Sequence, residues 1–197
     1  GEDVDQCVVY RAEGYESQAK ILAVDVARFG DDSSVLCLRQ GRKTWPMTKY
    51  KGLDLMALAA RVIEYIDTHK PDAVVVDGVG VGAGVVDRLK QLGYGDMVTE
   101  LNGGSTPMDP VVYFNRRAEL WGLMRDALRA GLEIPDDREL RDDLIGPEYG
   151  FDAKQRIQLE KKEDMKRRGL SSPDCGDALS MTFAVSARQY NKYDEPP

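Results

Sequence analysis

Cysteine and histidine are scarce in this chain. Its 197 residues include three cysteines, Cys7, Cys37 and Cys175, and one histidine, His69. The cysteines are odd in number, far apart and without a C-x-x-C spacing, which excludes a disulfide framework and a cysteine-based zinc site and fits a reducing compartment. His69 precedes Lys70 and Pro71 at an expected helix end, the place of a cap or surface residue and not of a general base. Positive charge is also in deficit, with 27 Lys and Arg against 34 Asp and Glu and a formal net charge of -7. Bulk attraction to nucleic acid or to an anionic membrane is therefore not expected, although local basic patches remain open. No apolar run approaches membrane-spanning length, and the opening GEDVDQ lacks the basic and apolar blocks of a signal peptide. A soluble, intracellular protein with one main domain is expected.

Residues 1–20 are polar and without clear period, and read as a tail or a junction. From residue 21 the pattern predicts strand, a turn at Gly30-Asp31-Asp32, a strand over 33–39, a turn at Gln40-Gly41 and a strand over 44–50, an antiparallel meander. Residues 53–68 carry Leu55, Leu58, Ala59, Val62, Ile63 and Ile66 at helical spacing, and Pro71 ends that helix. Residues 72–77, DAVVVD, are a strand of the kind buried on both faces, followed by a glycine-rich turn, a helix over 84–92 and a strand over 97–101. A loop over 102–110 leads to a helix over 112–130, with Leu120, Leu123, Met124, Ala127 and Leu128 facing inward. A second helix over 137–145 and a small hairpin, 148–152 with 156–160, follow. The last helix starts with Ser172 as cap and Pro173 in first position and runs to about residue 188, leaving 189–197 as a polar tail. The sum is an α/β fold with a mixed sheet covered by helices.

Asp25 is the anomaly in this pattern. In ILAVDVA, Leu22, Val24 and Val26 alternate with Ile21, Ala23 and Asp25, so the carboxylate interrupts a surface meant to be buried. Left unpaired there it is costly, and a cation or a metal ion is the remedy. Asp77 ends an apolar strand, where sites form in sheets of this kind, and its plainer role is to cap the next helix. Asp177 shares one face of the last helix with Ala178, Met181, Ala184 and Val185, and so points at the sheet. Asp174, in the first turn, has a sufficient structural role toward the helix dipole but lies three residues from Asp177, within reach of the same ion. Converging carboxylates repel one another without a cation, and oxygen-only clusters suit Mg2+ or Mn2+. Pairs of such ions about 3.5–4 Å apart serve phosphodiester hydrolysis.

Three blocks carry a family likeness: VDVARFGDD, VVVDGVGVG and LEKKEDMKRRGLSSPDCGDAL. Together they resemble the nuclease domain of the large terminase subunit of tailed bacteriophages, over roughly residues 20–188, and the last block is the most specific. The resemblance implies a ribonuclease H-like fold that cuts concatemeric double-stranded viral DNA during genome packaging with two divalent metals. It assigns Asp25, Asp77 and Asp177 as catalytic, metal-holding acids, with Asp174 auxiliary; the arrangement expected from these residues is one ion between Asp25 and Asp177 and the other between Asp25 and Asp77, their roles being interchangeable. It also implies work in the host cell cytoplasm alongside a packaging ATPase domain of the same polypeptide, a portal and a small terminase subunit. No G-x-x-x-x-G-K-[ST] motif is present, so residues 1–20 are expected to be the linker from an absent ATPase and 21–188 the nuclease domain.

Lys161, Lys162, Lys166, Arg167 and Arg168 form a basic cluster before the acidic helix, either a solvated face or a hold on DNA phosphates. Lys154 and Arg156 on the hairpin, and Arg116 and Arg117 at a helix start, are weaker versions of the same idea. Asp31 and Asp32 read as solvated turn residues, and Trp45 and Trp121 as packing. The glycines after Asp77 alone are weak evidence for a dinucleotide site. The rival readings are an actin-like or sugar-kinase-like ATPase fragment, for which a second lobe is lacking, and a non-catalytic assembly module, which loss of any of the three acids would favour.

Overall fold

The computed structural model describes residues 1–27 and 33–188. The expected turn at 30–32, with Asp31 and Asp32, and the tail over 189–197 lie outside the described residues.

Strand β1 (Lys20–Asp25) is the centre of the sheet. It pairs antiparallel with β2 (Ser34–Gln40), Asp25 opposite Val35, and parallel with β5 (Ala73–Asp77), Val24 opposite Val76. Strand β6 (Val98–Leu101) adds parallel to β5, with Asp77 opposite Leu101. The third strand of the meander is split, because Pro46 cannot donate to a ladder: β3 (Lys43–Thr44) and β4 (Thr48–Tyr50) both pair with β2. The alternation in β1 is real, and both faces are covered. Leu22, Val24 and Val26 pack against helices α2 (Leu55–His69) and α3 (Gly82–Leu89) through Leu58, Val62, Ile66, Val85 and Leu89. On the opposite face Val35 and Cys37 meet helices α4 (Arg116–Gly131), α5 (Arg138–Ile145) and α7 (Asp174–Met181) through Trp121, Met124, Leu140 and Leu179. This is a three-layer α/β fold of the ribonuclease H-like kind.

Local chemistry explains most boundaries. Asp54 caps α2 by accepting from Ala57 N at 2.7 Å, and Lys70, in the left-handed region at φ 51°, closes it before Pro71. His69 is the last residue of that helix, with its ring 4.1 Å from Tyr65. Asn115 caps α4 through Ala118 N, so the helix starts four residues later than residue 112. The hairpin forms as expected from β7 (Tyr149–Phe151) and β8 (Ile157–Leu159), and the basic cluster forms a short helix, α6 (Lys162–Arg167), that periodicity did not reveal.

Three expectations are corrected. The first twenty residues are not a plain polar tail: α1 (Glu2–Val9) packs Val4 and Cys7 into the core beside α4 and α5, and two inward residues are too few to show a period. Leu123 is 41% exposed and does not face inward. Helix α7 stops at Met181, far short of residue 188, because partners from elsewhere take the following polar groups. Arg39 donates to Thr182 Oγ1 and O, each at 2.8 Å, and Arg116 donates to Ala184 O at 2.9 Å. The cysteines are free and buried, and no helix among the described residues is long and apolar enough to cross a membrane.

Candidate functional site

Parallel pairing of β1 and β5 puts Asp25 and Asp77 at the same end of adjacent strands, and α7 lies across that end. Asp25, Asp77, Asp174 and Asp177 all line one cavity of about 540 Å³. The structure therefore brings together the four acids singled out in the sequence.

Their surroundings differ. Asp77 accepts from Val79 N at 3.1 Å, a turn contact next to its own strand, and Asp174 accepts from Ser33 N at 3.2 Å. Asp177 is held by three partners: Arg117 Nε at 3.0 Å and Trp121 Nε1 at 2.8 Å donate to Oδ1, and Lys162 Nζ lies 2.7 Å from Oδ2. Burial pulls Asp177 upward, but Arg117 and Lys162, with the hydrogen bonds from Lys162 and Trp121, outweigh it and hold its carboxyl below the usual range. Asp25 goes the other way. Burial raises it well above an ordinary carboxyl, Asp177, Asp174 and Asp77 push it further, and Lys162 opposes them. Lys162 in turn holds its proton more tightly than a free lysine, since Asp177 and Asp25 outweigh the effect of its burial.

Two of these partners escaped the sequence reading. Trp121 is a donor to Asp177 and not merely a packing residue, and Arg117 is tied to Asp177 and to Glu160 O at 3.1 Å. The legible sign was a cation four residues before a tryptophan on the inward face of α4. Removing the indole donor by Trp121→Phe is expected to cost about 1.5–3 kcal/mol, the range for a hydrogen bond to a charged group. Urea unfolding measures it, and an unchanged midpoint would show that the N–H is dispensable.

The basic residues separate into groups. Lys161, Lys162 and Lys166 line the cavity. Arg167 is paired with Asp164 at 2.6 Å, and Arg168 is bound to Glu160 at 2.6 Å and faces a second cavity beside α5. Lys154 is exposed on the hairpin, and Arg156 is paired with Asp152 at 2.6 Å with its guanidinium 5.1 Å from the Phe114 ring. Arg116 is held by Glu119 and Ala184 O. None of Arg116, Lys154, Arg156, Arg167 and Arg168 is among the residues lining the acidic cavity.

Four carboxylates with oxygen as the only donor fit a hard divalent cation. Among the described residues, however, no three His, Cys, Asp or Glu side chains stand at ligand spacing around one point. The arrangement seen is the ion-paired one, in which Lys162 and Arg117 hold Asp177.

A further acid, Asp143 on α5, lies outside this cavity. Its Oδ2 accepts from Cys175 N at 2.8 Å and Gly176 N at 3.2 Å, in the first turn of α7. Burial raises it to about 7, with Asp174 and Glu139 adding to the rise and the two N–H groups opposing it. Between its ordinary value of 3.8 and about 7 the folded chain keeps a proton that the unfolded chain has lost. The contribution of Asp143 to stability therefore falls as pH rises through that window and levels off above it. Urea midpoints at pH 5 and pH 8 should differ less in Asp143→Asn than in the parent chain.

No protein-family model matches the chain, and no curated protein matches its sequence. Solved structures do match, among them nuclease domains of phage large terminase subunits. That of gp2 from bacterial virus Sf6 superposes with a TM-score of 0.77 at 21% identity, covering 94% of each chain. The large terminase nuclease from thermophilic phage G20c gives 0.69 at 16% identity, over 93% of this chain and 96% of that one. The nuclease domain from Thermus phage P74-26 gives 0.63 at 16% identity, over 88% and 80%. Structures of the Sf6 domain contain manganese, and structures of the G20c domain contain magnesium or cobalt. The fold is that of the terminase nuclease domain.

Proposed function

We propose that this chain is a metal-dependent DNA endonuclease that cuts concatemeric viral DNA during genome packaging in the host cytoplasm. The observation that carries the reading is the gathering of Asp25, Asp77, Asp174 and Asp177 on one cavity at the carboxyl ends of β1 and β5, beside the lysines of α6. The same fold in phage terminase nucleases supports it. Asp25, Asp77 and Asp177, with Asp174 assisting, would hold two Mg2+ or Mn2+ ions, which when bound supply activated water and charge neutralisation for phosphodiester hydrolysis. Asp25 is central because it lies next to both other arms of the site. Lys162 and Arg117 offset the negative charge of the cluster, and Trp121 fixes the orientation of the Asp177 carboxylate. Lys161 and Lys166 at the rim are placed to meet phosphates, contacts that position a duplex without reading its sequence. A packaging ATPase domain of the same polypeptide, the portal and the small terminase subunit would be partners of this domain.

The test is plasmid DNA incubated with the purified chain and Mn2+ or Mg2+, with a chelator control. Nicking or linearisation that needs the metal supports the reading, and absence of cleavage together with tight ATP binding would favour a kinase-like ATPase. With the net charge at -7, DNA affinity is expected to be weak and strongly salt-dependent. Replacing Lys161 and Lys166 by alanine should weaken binding and flatten the salt slope by about two units, roughly one per lost phosphate contact. Fluorescence anisotropy at several salt concentrations measures this, and an unchanged slope would return both lysines to a solvated face.

A further inference from the structure

Helix α7 carries Asp174 and Asp177, two of the acids that line the cavity, in a single first turn, so the position of that turn decides whether they face Asp25 and Asp77. Its own start is poorly equipped to hold it. The cap position is Pro173 and not the expected Ser172, and the proline ring cannot accept from the first N–H groups. Of the four positions without a helical partner, Pro173 has no N–H and Asp174 N donates to Ser172 O at 2.9 Å, while Asp177 N makes the first helical bond, to Pro173 O at 2.7 Å. The remaining two, on Cys175 and Gly176, both donate to Oδ2 of Asp143, which is distant in sequence and buried. Close approach is possible because residue 176 is glycine. A Cβ there would lie 2.7 Å from the Trp121 ring and 3.3 Å from Asp143 Cβ. Trp121 in turn donates to Asp177, so α5 and α4 grip the same turn from two sides.

We infer that Asp143 is a positioning residue for the site: a cap supplied from α5 that sets the first turn of α7 and thereby the carboxylates of Asp174 and Asp177. This rests on the metal-site reading of the cavity. It adds that an acid outside the cavity governs how well the site binds its ions. Neither Cys175 nor Gly176 can obtain the lost acceptor from α7 itself, so truncation of Asp143 should loosen this turn while leaving the rest of the sheet intact. An asparagine at the same position retains an oxygen acceptor and should restore the turn.

The experiment compares the parent chain with Asp143→Ala, Asp143→Asn and Leu140→Ala. The last removes a fully buried side chain from the same helix without touching the cap. Amide proton and nitrogen shifts of Cys175 and Gly176 report the cap directly, and Mn2+ titration by calorimetry reports the site. The expected result is that Asp143→Ala moves both amide signals and weakens Mn2+ binding about tenfold or more, as loss of an outer-shell partner does. Asp143→Asn should restore affinity to within about threefold, and Leu140→Ala should lower Tm with little change in Mn2+ affinity. Unmoved amides, or equal loss of affinity in Asp143→Ala and Leu140→Ala, would overturn the inference. Absence of Mn2+ binding by the parent chain would instead overturn the metal-site reading, while the amide shifts still decide whether Asp143 caps the turn.

Discussion

Asp25→Asn is expected to abolish metal-dependent DNA cleavage while raising the stability of the fold. Asp25 is buried among Asp77, Asp174 and Asp177, and burial together with these neighbours makes its charge costly despite Lys162. Because its carboxyl is raised in the folded chain while the unfolded chain ionises at the ordinary value, Asp25 opposes folding above that ordinary value, and a neutral side chain of the same shape removes that cost. The same substitution takes the charge from the acid that lies next to every other arm of the site. Loss of cleavage should exceed the roughly 100-fold that accompanies loss of an outer-shell metal partner. Plasmid linearisation rates and thermal unfolding read the two halves separately. A variant that is both less stable and still active would contradict the description of Asp25 as a strained site acid.

Gly82→Ala is the second large effect. A Cβ at this position would sit 1.7 Å from the carbonyl oxygen of Asp77 and 3.6 Å from Val26 Cβ. The nearer obstacle is backbone, so rotamer changes cannot relieve it, and the turn from β5 into α3 must move. The cost should reach or exceed the upper end of ordinary overpacking, about 3 kcal/mol. The residue displaced is Asp77, so cleavage should fall along with stability. Gly150→Ala is the control, with nothing within 4 Å of the added atom, and it should leave both unchanged. Equal urea midpoints for the two variants would show that the start of α3 is not packed against the end of β5.

Much of this architecture was legible because its signals are local. Alternation in β1, the apolar run of β5 and the stripe of α2 each report burial through residues adjacent in the chain, so strand and helix positions followed. Asp25 and Asp177 stood out because a carboxylate on a buried face contradicts its surroundings, and Asp77 because it ends an apolar strand. What was hidden depends on distant partners. The end of α7 is set by Arg39 and Arg116, which take polar groups that a longer helix would have used. Helix α1 is concealed because Val4 and Cys7 are its buried residues in an otherwise polar segment. Trp121 and Arg117 reach Asp177 from a helix whose apolar spacing marked its inner face but not the bonds made there. Arg167 and Arg168 read as part of one basic cluster with Lys161, Lys162 and Lys166. The helical turn of α6 and the pairs with Asp164 and Glu160 direct those two away from the cavity.

The central claim is that these acids form one divalent-metal centre. Anomalous diffraction from crystals grown with Mn2+ tests it most directly, since the signal locates the ion without reference to activity. The expected result is density bounded by Asp25, Asp77 and Asp177, with the Lys162 ammonium displaced from its place beside Asp177. Manganese bound elsewhere, or an ion-free cavity in a preparation that cleaves DNA, would contradict it.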